Sequence, residues 1–141
     1  MKPIILLLIS GFVYQSALAV TTHKDTTIRL QTPHGELKLF HSTNTMYAVF
    51  TFSASEAVIQ EAESKDIKED NIFAGLVVDE NCQVTSIIQK RAGVLSSFNK
   101  EAVLFCDEIL QLSKEKQLSK YFFIDPTDCQ DLTFKIRLVI K

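Results

Sequence analysis

Few residues of this chain are placed to do chemistry, and their spacing excludes more than it supports. Metal binding by the three histidines would need a helical i, i+4 pair or a Cys/His spacing of the zinc type. His23 falls in a polar N-terminal stretch, His34 in the turn Pro33-His34-Gly35 with Glu36 on the same side, and His41 beside the next turn. They read as exposed turn histidines, with no metal implied. Nucleophilic catalysis would need a thiolate in an electropositive, partly exposed setting near a histidine. Cys106 lies instead on the apolar side of a helical pattern, beside Phe105 and Ile109, and its acidic neighbours Asp107 and Glu108 would raise its pKa. There is no Gly-x-Ser-x-Gly elbow and no Gly-rich phosphate loop. Glu61 with Glu63, and Asp107 with Glu108, read as solvated helix surface rather than as a carboxylate pair across a cleft. The expectation is a non-enzyme with no cofactor.

The cysteines carry a different message. Lys2, the apolar stretch Ile4 to Val13 and the small-residue pattern Ala17-Leu18-Ala19 make a secretory signal peptide, residues 1–19, cut after Ala19. The apolar run is roughly half the ~20 residues a spanning helix needs, so no stable membrane insertion is expected after cleavage. The mature part, residues 20–141, then enters an oxidising, periplasmic or secreted compartment where thiols within reach pair. Cys82 and Cys129 both lie in polar turn segments, so Cys82–Cys129 is the preferred bridge and Cys106 a buried small hydrophobe. Three pairings are possible on paper.

Net charge is -2, with basic and acidic residues interspersed. That argues against a nucleic-acid partner, which needs clustered Lys and Arg. Without repeats or a Pro/Gly-rich linker, one soluble domain is expected.

The elements follow from periodicity. Ile28 and Leu30, then Leu37 and Leu39, alternate with polar residues around the Pro33-His34-Gly35 turn, a hairpin. Met46 to Phe52 is a third, β-rich run. Ser53 or Ser55 caps a short helix from Glu56 to Lys65 with a narrow stripe of Ala54, Val58 and Ala62. Lys65 to Asp70 reads as a solvated connection. Phe73 to Val78 and Val84 to Ile88 are strands around the turn Asp79-Glu80-Asn81, and Gly93 ends the run. Ser96 or Ser97 opens a helix whose Phe98, Ala102, Phe105, Cys106, Ile109 and Leu112 form one apolar face. Lys114 to Lys120 reads as exposed, Tyr121 to Ile124 as a short apolar patch, and Asp125 to Asp128 as a turn. Leu132, Phe134, Ile136, Leu138 and Ile140 then alternate with polar neighbours as a last strand. The class is α+β: an antiparallel sheet with a helix packed on one face, preceded by N-terminal strands and a short helix.

Over residues 73–141 this order resembles the C-terminal domain of the TonB and TolA periplasmic proteins, a β-hairpin, a helix and a closing strand. The residues behind it are Gly75-Leu76-Val77-Val78-Asp79, Val84-Thr85-Ser86-Ile87-Ile88, Gly93, Ser97-Phe98-Asn99-Lys100-Glu101-Ala102 and the strand Leu132 to Ile140. The chain departs from the pattern in its Asp79-Glu80-Asn81-Cys82 turn, in a Pro-rich segment reduced to Pro126, and in the missing membrane anchor and linker. A cleaved leader would exclude the family's energy-transducing role. What the resemblance implies is a binding mode, a partner's extended segment accepted along a sheet edge.

The outward face of the last strand carries Thr133, Lys135 and Arg137. Outward Lys discourages uncontrolled pairing at an exposed edge, and the same edge would give a partner strand its backbone hydrogen bonds while the cations select an acidic segment. The sequence therefore leads to a protein-binding module of the periplasm or envelope, working through a sheet edge or the N-terminal hairpin. The alternative is a small inhibitor that neutralises an incoming toxin or hydrolase.

Overall fold

The computed structural model describes residues 25–140, so the expected signal peptide, residues 1–19, lies outside the described residues. Three strands, β1 (Thr26–Thr32), β2 (Gly35–His41) and β3 (Met46–Phe52), form an antiparallel meander. Helix α1 (Glu56–Ser64) follows, then β4 (Glu69–Val78), β5 (Val84–Arg91), the long helix α2 (Ser96–Glu115) and β6 (Leu132–Val139). Two short 3-10 turns, Leu118–Tyr121 and Pro126–Asp128, fill the passage from α2 to β6.

All six strands join one sheet in the order β1-β2-β3-β6-β4-β5. The alternation of the last strand is real, with Ile136 and Leu138 buried and Thr133, Lys135 and Arg137 exposed. Its position is not an edge, however. β6 lies between β3 and β4, antiparallel to β4 from Leu132 to Val139 and parallel to β3, so the sheet is mixed and its edges are β1 and β5. Alternation fixes which face a residue takes and is silent about the neighbouring strand.

One face of the sheet is covered. Leu30, Leu37, Leu39, Phe50, Ile72, Ile136 and Leu138 meet Phe98, Ala102, Phe105, Cys106 and Ile109 of α2, all buried. Phe52 packs on Phe98 at 4.9 Å between ring centroids, and Phe50 meets Phe105 edge-on at 6.3 Å. Gly35 is needed where the β1–β2 turn enters this layer: its φ is +154°, and a Cβ there would run into the Thr51 carbonyl and the Phe105 ring.

The start of α2 differs from the expected serine cap. Leu95 is the N-cap residue and offers no side-chain acceptor. Two carboxylates from elsewhere replace it. Asp70, 6% exposed, accepts from the N–H groups of Val94 (3.0 Å) and Leu95 (2.9 Å). Glu61 of α1 accepts from the N–H groups of Ser96 (3.0 Å) and Ser97 (2.8 Å). Asn99 closes the loop by accepting from Gly93 N–H at 2.7 Å and donating to Gly93 O at 2.9 Å. Unpaired donors at a helix start and its positive dipole end both favour such carboxylates. The stretch up to Asp70 is therefore not wholly a solvated connection: Glu69 and Asp70 open β4, and Asp70 is buried because α2 needs it. A Cβ on Gly93 would approach the Asp70 carboxylate to 2.5 Å, so only glycine fits at position 93 without displacing Asp70.

Cys82 and Cys129 form a disulfide with Cα atoms 5.8 Å apart, linking the β4–β5 turn to the lead-in of β6. Cys106 is free and buried. Between α2 and β6, Leu118, Phe122 and Phe123 are buried, so the passage read as exposed and the patch after it anchor this connection to the core.

Candidate binding site

The parallel pairing of β3 with β6 covers two residue pairs, Phe50 with Ile136 and Thr51 with Arg137. Towards their N-termini the strands part. Met46–Val49 pair with β2 on one side, and 132–135 pair with β4 on one side, but these two stretches form no ladder with each other. Between them lies a cleft of about 490 Å³. Its floor is apolar: Phe50 and Phe134 stack at 3.8 Å and 8°, with Leu76, Phe122 and Leu132 around them. Its banks on the uncovered face are Tyr47 and Val49 on β3 and Thr133, Lys135 and Arg137 on β6.

The three residues expected to bind thus line one cleft, on an inner strand rather than at an edge. In an ordinary sheet the two strands would satisfy each other across this gap; here no ladder pairs the backbone groups that face it.

The surrounding face has a definite charge pattern. The register levels Arg29 of β1, Lys38 of β2 and Val49 of β3 in one row, and Lys135 of β6, Phe73 of β4 and Arg91 of β5 continue it beyond the cleft. Four cations and no carboxylate stand in that row, on a chain of net charge -2. Arg29 bonds Glu36 of the next row at 3.4 Å, and Arg91 lies over the Phe73 ring at 4.3 Å. Arg137, in the row beside it, reaches Glu69 at 3.7 Å with both side chains more than half exposed, a weak contact. Lys135 and Lys38 have no ion-pair partner among the described residues. Phe40 stacks on Tyr47 at 5.1 Å on the β3 side.

The other singled-out residues lie elsewhere. His34 and His41 are half-buried, not the exposed turn residues expected: His34 Nδ1 lies 2.8 Å from Glu108 Oε2, pinning the β1–β2 turn to α2, and His41 Nε2 lies 3.1 Å from the Phe123 carbonyl. Among the described residues no group of three or more His, Cys, Asp or Glu is placed to hold a metal ion. Burial, and after it the Asp107 charge, push the Cys106 thiol up to about 12, far from a reactive thiolate. No described helix is long and apolar enough to cross a membrane. Sequence reasoning missed the partners of Lys135 in this site, Tyr47, Val49 and Phe50, because nothing local links residue 49 with residue 135.

Comparisons with protein-family models, with curated proteins and with solved structures find no match to this chain.

Proposed function

We propose that this chain is a non-enzymatic, exported protein-binding module whose partner lays an extended segment into the cleft between β3 and β6. The observation that carries this reading is the pair of facing strand stretches, Met46–Val49 and 132–135, unpaired toward each other above an apolar floor. A segment entering there would find backbone donors and acceptors on both sides, whereas the edges at β1 and β5 offer one side each. Side chains of the segment would point alternately to the Phe50–Phe134 floor and to the uncovered face. The leader ending at Ala17-Leu18-Ala19 and the Cys82–Cys129 bridge support export.

Photo-crosslinking tests the reading at two positions of equal accessibility. Val49 on the cleft bank and Val103 on the outer side of α2 are each 46% exposed. With a photoreactive residue in turn at each, in the chain expressed with its leader, a discrete protein adduct is expected from position 49 and none from position 103. Adducts from position 103 alone, or from neither, would refute the proposed docking site.

A further inference from the structure

We propose that a second cleft, at the C-terminal end of α2, is a binding site for an oxyanion, the phosphate or carboxylate end of a small molecule. The site is separate from the β3–β6 cleft and shares no residue with it. It measures about 490 Å³ and is lined by the last turns of α2, the 3-10 turn Leu118–Tyr121 and the start of the edge strand β5. Its polar lining is Ser113, Lys114, Gln117, Ser119, Lys120 and Gln83, with no carboxylate among them.

The donors of this set are uncommitted. Ser119 Oγ accepts from the Val84 N–H at 3.1 Å, which uses a lone pair and leaves the hydroxyl proton to give. Lys114 and Lys120 have no carboxylate partner among the described residues, and Lys120 lies over the Tyr121 ring at 5.1 Å. Ser113 is what points to a ligand. It is 3% exposed, and its Oγ has no hydrogen-bond partner among the described residues. A buried hydroxyl without a partner destabilises a fold, and alanine, the better helix former, would fill the position without that cost. A group that enters the cleft and accepts its proton accounts for the serine.

Two ammonium groups and two hydroxyl protons on one concave surface suit a group with several acceptor oxygens. A cationic ligand would meet both lysines, and a neutral one would leave them without a counter-charge. The carbonyl end of α2 carries about half a negative charge and works against an anion, so one lysine would do little more than cancel it, whereas two leave the cleft positive. The cleft is larger than an inorganic ion, so the oxyanion is the anchoring end of a bigger molecule.

Amide-shift titration of the intact mature protein with sodium phosphate and, separately, sodium acetate tests this, with sodium chloride at matched ionic strength as the reference. Saturating shifts are expected at 83–84 and 113–120, half-complete near about 1 mM, the strength of two or three charge-assisted hydrogen bonds. A response to phosphate alone assigns a phosphoryl ligand, and a response to acetate alone a carboxylate. Ser113→Ala should unfold at higher urea than native protein yet bind the anion at least about tenfold more weakly. The double variant Lys114→Gln, Lys120→Gln should lose saturation altogether. The site is overturned by the absence of saturable shifts with both anions, by the same shifts with chloride, or by native affinity in either variant. Shifts as large around Lys38 and Lys135 would mean a general attraction to cations and would overturn it too.

Discussion

Two regions of the molecule treat their backbone in opposite ways. At the start of α2, the N–H groups of Gly93 through Ser97 are each met by a side-chain oxygen, from Asn99, Asp70 or Glu61. In the cleft between β3 and β6, two four-residue stretches of strand face each other and pair with nothing across the gap. The first region fixes a helix over the core; the second keeps hydrogen-bonding capacity uncommitted. A buried orphan donor costs about 1–3 kcal/mol, so saturation is the default for a structural junction, and an open seam in mid-sheet is the exception that points to binding.

Perturbing the two regions should separate stability from recognition. The largest effect is expected from removing the bridge that ties the β5 start to the β6 lead-in. With Cys82 and Cys129 47 positions apart, the double Ser variant should lose about 4 kcal/mol in denaturant unfolding. Because Cys129 lies three positions before the start of β6, it should also lower the crosslinking yield from position 49.

Asp70→Ala comes next. It strands the buried Leu95 donor and the half-buried Val94 donor and should cost about 3 kcal/mol by urea denaturation. The adduct from a photoreactive residue at position 49 of the folded fraction should be unchanged.

Glu61→Gln is smaller and pH-dependent. Hydrogen bonds from the Ser97 hydroxyl, then from Lys65 and the backbone of Ser97 and Ser96, hold the Glu61 carboxyl far below its ordinary value near 4.5. A carboxyl depressed in the folded state stabilises above its unfolded pKa and loses that contribution as pH falls toward the folded one. The gap in Tm between native and Glu61→Gln protein should therefore be full at pH 7 and shrink below about pH 4.5. A gap constant from pH 7 to pH 3 would mean that the carboxylate does not stabilise the helix start.

The smallest change in stability belongs to the cleft. Lys135→Glu removes an exposed cation that makes no ion pair among the described residues and should shift unfolding by less than about 0.5 kcal/mol.

The same contrast separates what was legible in the sequence from what was not. Strand faces, the α2 apolar face, a serine cap on α1 (Ser55 of the two candidates Ser53 and Ser55) and the Cys82–Cys129 bridge all follow from local pattern or compartment, and each is present. Asp70 was not legible, because a polar residue in a charged stretch looks solvated unless the donors at Val94 and Leu95 are known to be beside it. His34 and His41 were misjudged for the same reason: their partners, Glu108 and the Phe123 carbonyl, are 74 and 82 residues away. Thr133, Lys135 and Arg137 were correctly placed on an outward face, but the strand is interior. Its parallel neighbour β3 is chosen by tertiary packing, and no alternation pattern carries that information.

Amide hydrogen exchange on the free protein, resolved residue by residue, tests the central claim most directly. Half the N–H groups of Met46–Val49 and of 132–135 should point to β2 or β4 and be slow, and the alternate ones should open into the cleft. The cleft-facing amides are predicted to exchange at least about a hundredfold faster than those of the ladder around Phe50 and Ile136. Uniform slow exchange along both stretches would mean that β3 and β6 close along their whole length, and that the cleft does not exist in solution.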